Sequence, residues 1–104
     1  MSQPPQLTPE QRRAALDKAA QARQKRAEVK EQLKSGRLTL AQLFEQGDAD
    51  EMVGKLKVVS MLESLPGVGK VRARRLMQEL DISESRRLRG LGDHQRQRLL
   101  DRFA

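Results

Sequence analysis

The chain has 104 residues, 37% of them hydrophobic and 34% charged, with 21 Lys/Arg against 14 Asp/Glu for a net charge of +7. That length allows one domain with a small core, and no run approaches the roughly 20 apolar residues of a membrane span. With no cysteine there is neither a disulfide framework nor a thiolate metal site.

Positive charge is divided between the two ends. Residues 1–34 carry eight Lys/Arg against four acids, and residues 55–104 carry twelve against six. Between them, residues 35–54 carry only Arg37 against Glu45, Asp48, Asp50 and Glu51. Such a distribution points to a polyanionic partner, or more blandly to a basic surface kept for solubility. Phe44 and Phe103 are the only aromatic residues, so Leu, Val, Ile, Met and Ala must build the core.

Met1-Ser2-Gln3-Pro4-Pro5 lacks the basic-then-apolar layout of a secretory signal, and a cytosolic protein is expected. Residues 1–7 read as a disordered tail. Thr8-Pro9-Glu10-Gln11 then reads as a helix start, with Thr8 as cap, proline at the first helical position and Gln11 closing a capping box. A long helix rich in Ala, Gln, Lys, Arg and Glu is expected over 8–36, stopped by Gly36. Its apolar residues are sparse, so its C-terminal half should dock and its N-terminal half project into solvent. Arg12, Arg23, Arg26 and Lys30 are spaced by 11, 3 and 4, which places them near one helical face. That face suits a phosphate backbone and equally a solvated charged surface.

Thr39 and Gln42 mark a second capping box, for a helix through about Gln46 that Gly47 should end. Asp48 or Asp50 starts a short helical turn through Met52 and Val53. Leu56, Val58, Val59, Met61, Leu62 and Leu65 form the most apolar stretch and should be the centre of the core. A helix from Lys70 to Leu80, a short one near Glu84–Leu88 and a last one from Asp93 to Phe103 complete the chain. Asp93 is the expected cap of that last helix. Without strand alternation or internal repeat, the fold class is all-α.

The segment Leu65-Pro66-Gly67-Val68-Gly69-Lys70 joins an apolar helix to a basic one within five residues. So tight a turn should need backbone angles that side chains forbid, which accounts for Gly67 and Gly69. Val68 is placed to plug the junction of the two helices. The amides around Gly69–Val71 would then face outward from a helix N-terminus, where donors and macrodipole suit a phosphate oxygen, with Lys70 adding charge. The pattern resembles the helix-hairpin-helix motif, which contacts DNA backbone. An ordinary tight helix turn is the plain alternative.

Two phosphate-loop readings fail. A Walker A loop needs glycine where Ser64 stands and Ser or Thr where Val71 stands. A dinucleotide fingerprint needs its third glycine at Arg72.

Downstream, Ser83-Glu84-Ser85-Arg86-Arg87-Leu88-Arg89-Gly90-Leu91-Gly92 places Leu88 and Leu91 inward and three arginines toward solvent. Arginine offers phosphate the bidentate contacts that lysine cannot. With Arg72, Arg74 and Arg75, this run forms a second candidate grip on a backbone. The candidate DNA-binding residues are therefore Pro66, Gly67, Val68, Gly69, Lys70, Arg72, Arg74, Ser83, Arg86, Arg87, Arg89 and Gly90.

Nearly the whole chain resembles the actinobacterial integration host factor family of small nucleoid-associated proteins. The resemblance lies in Leu7-Thr8-Pro9-Glu10-Gln11, the Ala-rich helix, Gly54-Lys55-Leu56-Lys57-Val58, the hairpin and Arg86–Gly92. It implies a long N-terminal helix packed on a helix–two-turns–helix DNA-binding module over 37–104. It also implies DNA contacts at Gly67–Lys70 and at Arg86, Arg87 and Arg89, and roles in nucleoid compaction, phage integration and regulation. Despite the name, that fold is unrelated to the β-ribbon proteins that bend DNA by intercalation. The chain stops at Ala104, without the short tail the resemblance leads one to expect.

The expected partner is thus double-stranded DNA, bound by a monomer in the nucleoid with low sequence specificity. No cofactor, metal, membrane or small-molecule substrate is expected. Structured RNA is the alternative partner, since ribosomal proteins carry related modules. An enzyme such as a DNA glycosylase is disfavoured: His94 is the only histidine, there is no cysteine, and Met1-Ser2 offers no N-terminal proline nucleophile.

Overall fold

Thr8 sets the start of the first helix. Its hydroxyl accepts the Gln11 N–H at 3.1 Å, while the Gln11 side chain accepts the Thr8 N–H at 2.9 Å. The structure, a computed structural model, describes residues 6–103, and in it α1 runs Pro9–Lys34. The tail expected at 1–7 lies largely outside the described residues; Gln6 and Leu7 are exposed and non-helical.

Gly36 stops α1 as expected. At φ +77 it lets its own N–H reach Leu33 O at 3.2 Å and the Arg37 N–H reach Gln32 O at 2.9 Å, which satisfies two of the last carbonyls. Every residue from 9 to 21 is exposed, and burial begins in earnest at Val29 and Leu33. The C-terminal half packs on the elements that follow, and the N-terminal half projects. The long axis of 51 Å reflects this arm.

The second helix, α2 (Leu40–Ala49), opens on the expected Thr39–Gln42 capping box, with bonds of 3.1 and 2.9 Å. It does not end at Gly47. That glycine is buried mid-helix against Leu88, and the chain turns instead at Asp50, whose backbone is extended at φ −124, ψ 115. The Asp50 carboxylate accepts the Met52 N–H at 2.9 Å and so starts the single turn α3 (Glu51–Gly54).

Of the stretch expected at the centre of the core, Leu56, Val58, Met61 and Leu62 are each at most 3% exposed, while Val59 and Leu65 are only partly buried at its edge. This stretch leads into α4 (Val58–Ser64), which packs on α1 and on α5 (Lys70–Glu79). Phe44, Val53, Ala73, Leu76, Met77, Leu88 and Leu99 close the same cluster, and no polar side chain is buried among the described residues.

The short helix expected near Glu84–Leu88 is absent. Residues 83–85 form a turn in which Ser83 Oγ accepts the Ser85 N–H at 3.3 Å. Beyond it the chain is extended, because the Val58 N–H donates to Arg86 O at 2.9 Å and the Leu88 N–H to Leu56 O at 3.0 Å. Pairing with 56–58 outcompetes a helix there. A single 3-10 turn, Leu88–Gly90, follows.

The last helix, α6 (Asp93–Phe103), is capped by Gly92 rather than Asp93. Gly92 O accepts the Arg96 N–H at 3.0 Å, and its own N–H donates to Gln95 Oε1 at 3.1 Å. Asp93 takes the first helical position, where the macrodipole favours a carboxylate. Among the described residues no helix is long and apolar enough to cross a membrane.

Candidate nucleic-acid interface

At the end of α4 the Ser64 hydroxyl donates back to Ser60 O at 2.8 Å, and Leu65 turns extended ahead of Pro66. The Val68 N–H then donates to Leu65 O at 3.1 Å across Pro66 and Gly67. With proline second and a glycine at φ +76 third, the four residues follow the pattern of a type II turn. Val68 is 6% exposed and fills the junction of α4 and α5.

Gly69 departs from expectation. Its φ of −89 and ψ of −178 are open to any residue, and a Cβ added there would meet nothing within 4 Å. Only Gly67 needs its glycine for backbone conformation. What Gly69 leaves bare is the outer side of the α5 N-terminus, where it stands as cap residue without a side-chain hydrogen bond. By contrast, side chains cap α1, α2 and α3, and the first amide of α4 is taken by Arg86 O, while α6 behind Gly92 shares the open arrangement without a cluster of lysines beside it. The first-turn amides of α5 are thus presented to an external acceptor.

Around this turn the structure gathers Lys70, exposed beside it, and Lys30 and Lys34 of α1, which line the same recess. Arg72 leans back over the turn, with a long contact of 3.5 Å to Gly67 O. Arg74 instead faces Glu84 at 3.5 Å, which ties α5 to the arginine segment. Of the four cations proposed on α1, Lys30 is brought to the hairpin. Arg26 is half-buried farther along, and Arg12 and Arg23 lie exposed on the more distant helix.

The second basic cluster surrounds a recess lined by Gly54, Lys55, Ser83, Ser85, Arg86, Arg87, Arg89 and Gly90. Its arginines are held by the protein's own carbonyls: Arg86 donates to Gly90 O at 3.0 Å, and Arg87 to Lys55 O at 2.7 Å. The stem of Arg89 lies over Gly54, where a Cβ would run into it and come within 2.8 Å of Gly47 O. Leu88 and Leu91 anchor the segment inward, at 1% and 6% exposure.

The acidic stretch 45–51 lies behind this cluster. A hydrogen bond from Arg96, and then the charges of Arg96 and Arg89, hold the Asp48 carboxyl below its ordinary range. A hydrogen bond from Lys55 does the same for Glu51, with Lys55, Arg89 and Lys18 adding charge. Arg96 binds Asp48 through both terminal nitrogens, at 2.9 and 2.7 Å, and stands 5.3 Å over the Phe44 ring. This clamp fastens α6 to α2, and Arg102 with Glu79 at 2.6 Å fastens α6 to α5.

Sequence reasoning misses Lys34, Lys55, Gly54 and Arg96. Lys34 lies one turn beyond Lys30 on a face already marked as basic, so its signal is present. Gly54 and Lys55 lie in a string that carries the family resemblance, though not as site residues, and nothing local marks Arg96. The hairpin and the arginine segment sit at opposite ends of α4, whose seven residues span about 10 Å. His94 is exposed on the first turn of α6, and among the described residues no three of His, Cys, Asp and Glu converge to hold a metal.

Residues 33–103 match the family model of the S13-like H2TH domain. The chain is 57% identical over 99 residues to the integration host factor of Mycobacterium tuberculosis, covering 95% of this chain and 94% of that one. It is 59% identical over 91 residues to the integration host factor of Streptomyces coelicolor, covering 88% and 85%. Among solved structures it resembles sIHF bound to an 8-bp palindromic DNA, with a TM-score of 0.83 and 52% identity over 85% of this chain and 99% of that one. A guanylate kinase of Leifsonia xyli is 42% identical over 48 residues, but they make up 19% of that protein, and most of the kinase has no counterpart here. On the length and identity of these matches, the chain belongs to the integration host factor family.

Proposed function

We propose that this protein is an architectural binder of double-stranded DNA in the nucleoid, gripping phosphates at two points and acting without catalysis. The observation that carries the reading is the uncapped N-terminus of α5 behind Gly69, a glycine with no conformational or packing need to be one. An acceptor from outside explains both features, and a phosphate oxygen suits amides, helix dipole and Lys70 together. The relative solved with DNA supports that choice of acceptor.

The second grip is Arg86, Arg87 and Arg89, with Ser83 and Gly90 at its edge. About 10 Å from the hairpin along α4, it is spaced on the order of a DNA groove, so the two sites suit phosphates on facing strands. Residues 37–104 act as the binding module, and the helix over 8–36 docks on it by its C-terminal half and projects the rest as an arm, with Arg26, Arg23 and Arg12 extending the basic track away from Lys30. Base edges are read little; preference arises from DNA shape and deformability. Compaction of DNA, help to site-specific recombination and regulation follow from such a grip, made by a monomer.

Titration of the full chain with duplex DNA at several salt concentrations tests this. Four to six phosphate contacts give a log–log slope of roughly −4 to −5. Affinity indifferent to salt would overturn the reading.

A further inference from the structure

Val71 is 72% exposed, the most exposed large apolar side chain among the described residues. A lone exposed valine is ordinary on a protein surface. Its position is not. It is the second residue of α5, between Lys70 and Arg72, immediately beside the uncapped amides, and it lines one groove with Gly69, Arg72, Arg75 and the ion-paired Arg102 and Glu79.

Nothing in the fold asks for valine there. A β-branched residue is a weaker helix former than Ala, Lys or Glu, and the first turn of a helix favours a carboxylate. Val71 also contributes nothing to the core, since its neighbours Ala73 and Leu76 take the inward face of α5. Beside Arg72 and Arg75, an apolar, branched side chain is suited to touch the sugar of a nucleic-acid backbone whose phosphates those arginines attract. A phosphate seated on the first-turn amides would lie next to this residue, the second of the helix.

We propose that Val71 is a specificity-determining residue that makes the hairpin select deoxyribose over ribose. The inference rests on the reading of the hairpin as a phosphate grip and adds what that grip distinguishes. Deoxyribose offers only C–H groups at its 2′ carbon, which the valine methyls can cover without loss. Ribose carries there the hydroxyl that separates RNA from DNA, and covering it with methyls leaves a donor and an acceptor unpartnered. Phosphate contacts alone do not draw this distinction.

The test compares the full-length protein with V71T and V71I on duplexes of one sequence, made as DNA and as RNA and titrated at the same salt. The different helical form of RNA affects all three proteins alike, so the change in the DNA-over-RNA ratio isolates the side chain. V71T, which gives the 2′-hydroxyl a partner, should narrow that ratio about fivefold to tenfold, the effect of one such hydrogen bond. V71I, which keeps the contact apolar, should keep or widen it. A ratio unmoved by V71T, in a wild-type protein that prefers DNA, overturns this inference and leaves the DNA reading standing. A wild-type protein that binds RNA as well as DNA overturns this inference alone, and one that binds neither overturns both.

Discussion

The hairpin and the arginine segment, the two proposed grips, are built in opposite ways. At the hairpin the protein withholds its own acceptors: α5 has no side-chain cap, and Gly69 stands in open space. At the arginine segment it supplies them in advance. Arg86 and Arg87 are held on Gly90 O and Lys55 O, and Asp48 and Glu51 lie close enough to feel the charge of Arg89. One site offers rigid backbone donors that wait unfilled. The other offers guanidinium groups already aimed and partly neutralised, so that three arginines in four residues fold without a partner. A change at the first should therefore act on binding alone, whereas a change at the second should act on binding and fold together.

The largest effect expected is from reversing Arg86, Arg87 and Arg89 to glutamate together. With three phosphates no longer neutralised, the salt slope should shrink by about 2.7 units and binding should weaken on the order of a thousandfold. The loss should be alike on unrelated sequences; confinement to one sequence would indicate base readout instead. Next comes Gly69→Leu. It should weaken DNA binding roughly tenfold or more, by obstructing charge-assisted hydrogen bonds, with a melting temperature unchanged within about 2 °C. A matching fall in melting temperature would remove the contrast between the two sites.

Gly54→Ala supplies the opposite case. Its Cβ collides with Arg89 and approaches Gly47 O at 2.8 Å, so it should cost about 1–3 kcal/mol of stability in a denaturant melt and also weaken binding. The smallest effect is electrostatic. Asp48 and Glu51 both titrate below their ordinary values of 3.8 and 4.5, so their ion pairs stabilise the fold fully above those values. That contribution is lost as the pH falls below them through the depressed folded pKa values. Asp48→Asn should flatten the acid side of a plot of melting temperature against pH; an unchanged acid limb would mean that the Arg96 clamp adds nothing measurable.

Much of this molecule is legible where the governing chemistry is local. Thr8 with Gln11, Thr39 with Gln42, and Gly36 mark helix ends through partners no more than a few residues away, and each sits where its spacing places it. The hairpin, too, can be read from one short string. The misreadings share a different cause. Gly47 reads as a stop because its burial against Leu88 lies forty-one residues off in the chain, and 84–88 reads as helical because the pairing partner at 56–58 is equally remote. Arg96 reaches Asp48 across forty-eight positions, and no periodicity reveals such a pairing. Gly69 stands out in the sequence for a reason that holds for Gly67 alone. In the proposed grip, its glycine leaves room for an acceptor from outside the chain.

The arm of α1 has its own consequence. From residue 9 to residue 21 it lies exposed along its whole length, and it holds its shape by the Thr8–Gln11 box and a run of good helix formers. Its length is therefore uncoupled from the core. Adding or removing a turn would shift Arg12 by about 5.4 Å along the axis without repacking a single buried side chain. Reach, in this architecture, is a quantity that can drift freely between one sequence and the next, while the grip at its base stays where it is.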